Sequence, residues 1–478
     1  MDTPRESAPA PWWARGTLLA LTLGAAWLRL PGLAAEEPWF DEIFSIVLAS
    51  QDLPALLQRA IADQTNPPGF YLLLWSWTRF GGFDLAVMRL LPALAGVLTV
   101  PALAMAARAL GLSWHTALAG AALAAVSPLA LAMSSELRAY APLVLVTTLA
   151  LAAAARARPV PLAFAGLALV SLHYFGALVV AALAIGALWT DHRRWRQALL
   201  PVLPAAGALG AWMLVVVANA GPRPVGVNAD WIGAVGLRDI PSFASQIVGT
   251  FGTAWGARIV TLATVAALAV GLRTAFRPRE IAGQRSAGAP GDTAAPAAAR
   301  LLLSLALLPI LTVAATSLLL GRDLWVARYL IITLPALWLV LAWAADSAAG
   351  HVHPAALTCL VGWALLAGPL AEQARPRKTA WSNVARALTA GTPRTVCANE
   401  PFVALPLRYQ ALRESLPLIV RDLEECATTR DATAIVLRVG TERSLDRLKR
   451  AGADAGASRD LGTSLPATRI RALHWAAR

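Results

Sequence analysis

Residues 36–45 read EEPWFDEIFS and residues 63–80 read DQTNPPGFYLLLWSWTRF; whether the second stretch crosses a membrane decides how the whole chain is threaded. From Pro67 to Phe80 there are 14 residues, against about 20 needed for a helix to span roughly 30 Å of hydrocarbon. Asn66-Pro67-Pro68 stiffens the backbone ahead of Phe70, Tyr71, Trp75, Trp77 and Phe80, rings that suit the headgroup level. The segment therefore reads as a helix lying along the membrane surface, within a first loop at 34–88.

Working outward, apolar runs stand at 17–33, 89–107, 116–133, 141–155, 198–218, 257–272, 301–320, 329–346 and 354–371. The stretch 159–189 contains no Asp, Glu, Lys or Arg and has His173-Tyr174 at its middle. It reads as two short crossings meeting at a polar turn, with a single tilted helix as the competing reading. The sum is a polytopic α-helical membrane protein with eleven crossings. Composition agrees: of 478 residues 57% are hydrophobic and 14% charged, and mean hydropathy is +0.58. A single soluble core of this size would leave too little polar surface to face water.

With a cytoplasmic N-terminus, the inner loops receive Arg108, Arg156, Arg158, Arg193, Arg194, Arg196, Arg273, Arg277, Arg279 and Arg285, as the positive-inside bias requires. The tail after Glu372 is then extracytoplasmic. The net charge of +13 divides at that point, with 23 basic and 18 acidic residues before it and 18 and 10 after. So distributed, it orients loops and solubilises a tail, and does not point to nucleic acid. The 280–299 stretch, biased to Ala, Gly, Pro and Ser, reads as a flexible linker.

The expected domains are thus 1–372 in the membrane and 373–478 outside it. In the tail, 381–390, 402–414 and 441–451 have helical spacing, whereas 394–398, 416–420, 433–439 and 469–475 read as strands. The alternation predicts a small α/β domain. Cys397 and Cys426 both fall in it, and an extracytoplasmic compartment permits a disulfide between them.

Two groups of residues carry chemistry. Asp41 and Glu42 stand between Trp39-Phe40 and Ile43-Phe44, and carboxylates among aromatics at an interface are poorly hydrated, which suits a general base. The other reading is a helix N-terminal cap. Arg89, Arg138 and Arg328 sit at outer helix ends, against the inside bias. A guanidinium fork matches phosphate; snorkelling, or pairs such as Glu136 with Arg138 and Arg322 with Asp323, are the alternatives.

The ordered set WFDEIFS, DQTNPPGFYLLL, MRLLPALAGVLTVP, SPLALAMSSELRAY, LHYFGAL and ARYLI resembles the protein mannosyltransferase (family 39) type of GT-C glycosyltransferases, whose bacterial members include aminoarabinose transferases. The resemblance runs over 15–346, and the tail from TAWSNVARAL is similar to the soluble domain many bacterial members carry. It implies a bacterial inner-membrane enzyme with its site and tail facing the periplasm. The enzyme would transfer a sugar from a polyprenyl-phosphate donor to an extracytoplasmic hydroxyl with inversion. It further implies Asp41 as general base with Glu42 beside it. Arg138 and Arg328 would lie at the donor phosphate, with Tyr140, Tyr329, Asn66 and Arg89 on the donor side. His173, Tyr174 and Asp63 would line the acceptor side. Asn66 departs from the His or Lys that usually precedes Pro-Pro, which bears on donor headgroup contacts. No cofactor is required, and a divalent cation at Asp41 and Glu42 is allowed. A lipid-linked sugar transporter or flippase is the reading from another class; it calls for half-repeats and midplane charges, and the chain shows no internal repeat. A silent membrane scaffold for the tail is a third.

Overall fold

The computed structural model describes residues 10–219, 254–276, 295–320, 326–348, 380–389, 394–398, 401–422, 425, 434–438, 458–460 and 470–474. In chain order the helices are α1 (Trp12–Arg29), α2 (Phe40–Ser50), α3 (Leu53–Asp63), α4 (Gly69–Gly81), α5 (Leu85–Ala109), α6 (Trp114–Val126), α7 (Pro128–Ser134) and α8 (Tyr140–Ala155). There follow α9 (Pro159–Leu172), α10 (Gly176–Thr190), α11 (Trp195–Leu199), α12 (Val202–Asn219), α13 (Ala254–Ala275), α14 (Ala295–Leu320) and α15 (Leu334–Ala348). The tail adds α16 (Trp381–Thr389), β1 (Arg394–Ala398), α17 (Pro401–Arg413), β2 (Leu418–Asp422), β3 (Ala434–Arg438), β4 (Ser458–Asp460) and β5 (Ile470–His474). The chain divides into two compact units: Met1–Pro31 with Gln51–Glu372, and Gly32–Ser50 with Gln373–Arg478.

The first unit is a helical bundle with an apolar outer face, the signature of a polytopic membrane protein. Among the described residues α5, α12, Ala295–Leu319 and Leu330–Ser347 are long and apolar enough to cross. The bent pair α6 and α7 counts as one more, and α8, α9, α10 and Thr261–Ala275 are apolar but shorter. The expected run 354–371 and Arg277, Arg279 and Arg285 lie outside the described residues. Two expectations need correction. The run 116–133 is not one straight span: it breaks at Ser127, where α6 and α7 meet at 56°, because Pro128 has no N–H to continue α6 and instead opens α7. The 280–299 linker ends sooner than expected, since α14 begins at Ala295.

The helix starts follow from their caps. Asp52 accepts from the Ala55 amide at 2.8 Å to open α3, and Asp84 accepts from Ala86 and Val87 at 2.9 and 3.1 Å to open α5. Such bonds satisfy amides that the helix itself leaves free. Helix α4, 13 residues long, is fixed by its aromatics: Trp77 donates to the Val87 carbonyl at 2.8 Å, and both Trp75 and Arg79 donate to the Gln51 carbonyl at 3.0 Å. Phe80 is left 93% exposed.

The second unit carries a five-stranded sheet of order β2-β1-β3-β5-β4. β1 runs parallel to β2 and β3, and β5 antiparallel to β3 and β4. Its core joins Trp381, Val384 and Leu388 of α16 to Val403 and Leu407 of α17 and Val396 of β1. Glu414 receives a forked pair of bonds from Arg386 at 2.7 and 2.9 Å, which holds its carboxyl below the usual range. Cys397 is disulfide-bonded; Cys426 lies outside the described residues, as does the expected helix 441–451. The grouping of Gly32–Ser50 with the tail was not expected, since sequence order places the whole 34–88 loop with the membrane domain.

Candidate active site

In the bundle, four separate segments bring polar and aromatic residues together. The break between α9 and α10 supplies His173, Tyr174 and Phe175. His173 lies 6.0 Å from the Tyr140 ring, 5.4 Å from Phe175 and 5.8 Å from Tyr329, centroid to centroid. Phe175 and Tyr329 are 5.3 Å apart. Tyr140 opens α8, and Tyr329 precedes the 3₁₀ turn Leu330–Thr333 that leads into α15. The Arg328 guanidinium stands 5.6 Å from the Tyr329 ring centre. Arg138, 8% exposed in the turn between α7 and α8, donates to the Tyr71 hydroxyl of α4 at 3.5 Å.

Two arginine charges act on the histidine of this cluster. His173 is 6% exposed. Burial first, then the charges of Arg138 and Arg328, push its pKa down to about 3. The Phe175 amide donates to His173 Nδ1 at 3.1 Å, so the neutral ring carries its proton on Nε2 and offers a single N–H donor. Two guanidinium groups beside one buried neutral imidazole, among aromatic walls, form a surface that favours an anion.

The adjoining loop is tied to the same turn. The Tyr174 hydroxyl donates to the Gln64 carbonyl at 3.3 Å and accepts from Trp212 Nε1 at 3.0 Å. Burial raises its pKa, with the nearby Asp63 charge adding to the effect. Gly69 touches α9 closely: a Cβ there would lie 2.4 Å from the Ser171 carbonyl oxygen. Asn66 is buried in the bend before α4, and Arg89 is buried on α5.

Asp41 and Glu42 open α2 in the other compact unit, and their roles diverge. Glu42 is 0% exposed and accepts from the Trp39 amide at 3.3 Å, a capping bond of the kind weighed above. Asp41 keeps partial exposure. Phe175 and Trp212 are not among the residues the sequence points to, and Tyr71 is expected there only as a headgroup-level ring. Tyr71 and Phe175 stand inside the quoted GFYLLL and LHYFGAL segments, so a signal was present; Trp212 sits in an apolar run with none. Among the described residues no group of three or more His, Cys, Asp or Glu is placed to hold a metal ion.

The chain matches no protein-family profile and no curated protein. Among solved structures it is similar to the apo form of the Archaeoglobus fulgidus oligosaccharyltransferase, with 11% identity, a TM-score of 0.51, and coverage of 91% of this chain and 70% of that one. The fold is of the GT-C type. ArnT from Cupriavidus metallidurans is a further similar structure at 16% identity, in the apo state (TM-score 0.45, covering 96% and 97%) and bound to undecaprenyl phosphate (TM-score 0.41, covering 97% and 98%). In this GT-C bundle the arginine and aromatic cluster lies where α4, α7, α8, α9, α10 and α15 begin or end.

Proposed function

We propose that the chain is a membrane glycosyltransferase that moves a sugar from a polyprenyl-phosphate donor to an extracytoplasmic hydroxyl, with inversion. The carrying observation is the pair Arg138 and Arg328 acting on neutral His173 within an aromatic wall, in a GT-C bundle. In this reading the acceptor oxygen attacks the anomeric carbon as the bond from that carbon to the phosphate oxygen breaks. The phosphate leaves with the electron pair, and the acceptor proton passes to Asp41. Arg138 and Arg328 neutralise the charge that grows on the leaving phosphate, where such stabilisation has most effect. Tyr140 and Tyr329 offer faces to the sugar, and His173 Nε2 donates to a sugar or phosphate oxygen. Asn66 and Arg89 shape the donor side, whereas Tyr174 and Asp63 line the acceptor side. The enzyme sits in the bacterial inner membrane with this site and the tail in the periplasm.

A transporter would use the broken ends of α6 and α7 as ion ligands. Against that reading, the Ala124 and Ala125 carbonyls at the end of α6 already accept from Arg29, at 2.9 and 2.7 Å. Incubating membranes with labelled polyprenyl-phospho-sugars, with and without chelator, and following label into lipid, glycan or protein tests the function. Asp41→Asn is expected to lower transfer by about 10²–10⁴-fold while the protein still inserts. Normal transfer by that variant removes the base assignment.

A further inference from the structure

Four residues before Asp41, the half-buried carboxylate of Glu37 is held by the tail. Its Oε2 accepts from the Ser382 amide at 2.9 Å and from Gln410 Nε2 at 3.0 Å, while Oε1 accepts from the Ser382 hydroxyl. Ser382 lies in the first turn of α16, where amides lack helical partners. Gln410 is fully buried on α17. Beside this grip the Phe40 ring lies 4.3 Å from Phe402 of α17. Both contacts fall within the compact unit that joins Gly32–Ser50 to the tail. A solubilising appendage would have no need to bury a glutamine against a loop glutamate that lies 373 positions away in the sequence.

We propose that Glu37 is a positioning residue: docked on Ser382 and Gln410, it fixes the turn that aims Asp41, which makes the tail part of the catalytic apparatus. This rests on the reading of Asp41 as base. The glutamate works through what it accepts rather than through its charge. Glutamine at 37 keeps an oxygen for the Ser382 amide and for Gln410, and its NH₂ donates to the Ser382 hydroxyl.

The test uses the full chain in membranes or detergent, with Glu37→Leu, Glu37→Gln and Gln410→Met. Glu37→Leu is expected to lower kcat by about tenfold to a hundredfold with donor KM within about twofold, as misaimed chemistry does. Glu37→Gln should stay within about threefold of the parent, and Gln410→Met should fall between the two, since it removes one of the donors. Amide hydrogen exchange at residues 39–45 is expected to rise in Glu37→Leu, not in Glu37→Gln, with the β1 amides unchanged. Parent kcat in Glu37→Leu, a loss confined to KM, or unchanged exchange at 39–45 overturns the proposal. If the parent protein itself transfers no sugar, the glycosyltransferase reading fails, and the exchange measurement alone decides whether Glu37 holds the loop.

Discussion

Adjacent carboxylates illustrate how much a side chain's direction decides. Asp41 and Glu42 are indistinguishable by composition and neighbours, and both were candidates for base or cap. Successive helical residues point about 100° apart, so one of them turns inward to the Trp39 amide and the other retains access to water. His173 shows the same dependence. Its place at a polar turn is legible in the sequence, but its protonation state follows first from its burial in the fold and then from the charges of Arg138 and Arg328, which come from other segments of the chain. A histidine whose native pKa falls from 6.5 to about 3 contributes stability that is complete above pH 6.5 and is lost as pH falls toward 3, because the unfolded chain takes up the proton first. The expected outcome is a pH–rate profile with no His173 inflection between pH 5 and 8. His173→Asn should lower the rate without moving the acidic limb, and a limb that shifts in this variant would show that the imidazole titrates.

At the scale of elements, the break between α6 and α7 is the clearest departure from hydropathy. Hydropathy averages over the window and cannot see a bend, whereas Ser127-Pro128 is a readable boundary signal. What makes the break tolerable in a membrane lies on another helix. Arg29 of α1 donates to the Ala124 and Ala125 carbonyls that α6 leaves free, and to Ser134 Oγ of α7 at 3.2 Å. One guanidinium thus bridges both halves and satisfies groups that lipid cannot. Gly96 of α5 allows the close approach: a Cβ there would lie 2.2 Å from Ser134 Oγ and 2.9 Å from Arg29 Nε. Gly96→Ala is expected to destabilise the bundle by about 1–3 kcal/mol, and Arg29→Met by at least about 2 kcal/mol, both read as lower thermal unfolding midpoints in detergent. Arg29→Lys should recover only part of the loss, since a lysine presents a point charge without the fork.

For the whole molecule, the proposed threading depends on parity, and parity depends on the 13-residue α4 staying out of the bilayer and on the 159–189 stretch crossing twice. A periplasm-active reporter fused after Glu372 is expected to be active, and an inactive one breaks the eleven-crossing topology. Cys397 provides an independent check. Disulfide-bonded and fully buried in the tail, it should resist maleimide in protein denatured without reductant and label once reductant is added, as a cysteine on the oxidising side does; labelling of Cys397 in denaturant without reductant would place the tail elsewhere or leave the thiol free.

The sequence by itself determined the class of the protein and most of its elements. Hydrophobic run lengths, the charge-free 159–189 stretch with its polar centre, and the alternating tail strands are local patterns, and local patterns are what a linear text records. Strand β1 occurs where its residues predicted, and α9 and α10 separate at His173. Tertiary structure alone decided which polar groups meet. It set Arg138 and Arg328 around His173, gave the α6 break its cap on α1, and joined residues 32–50 to a tail more than 300 positions away. Those pairings depend on side-chain direction and on the burial of polar atoms that must find partners once water is excluded, and neither quantity is written into the order of residues along the chain.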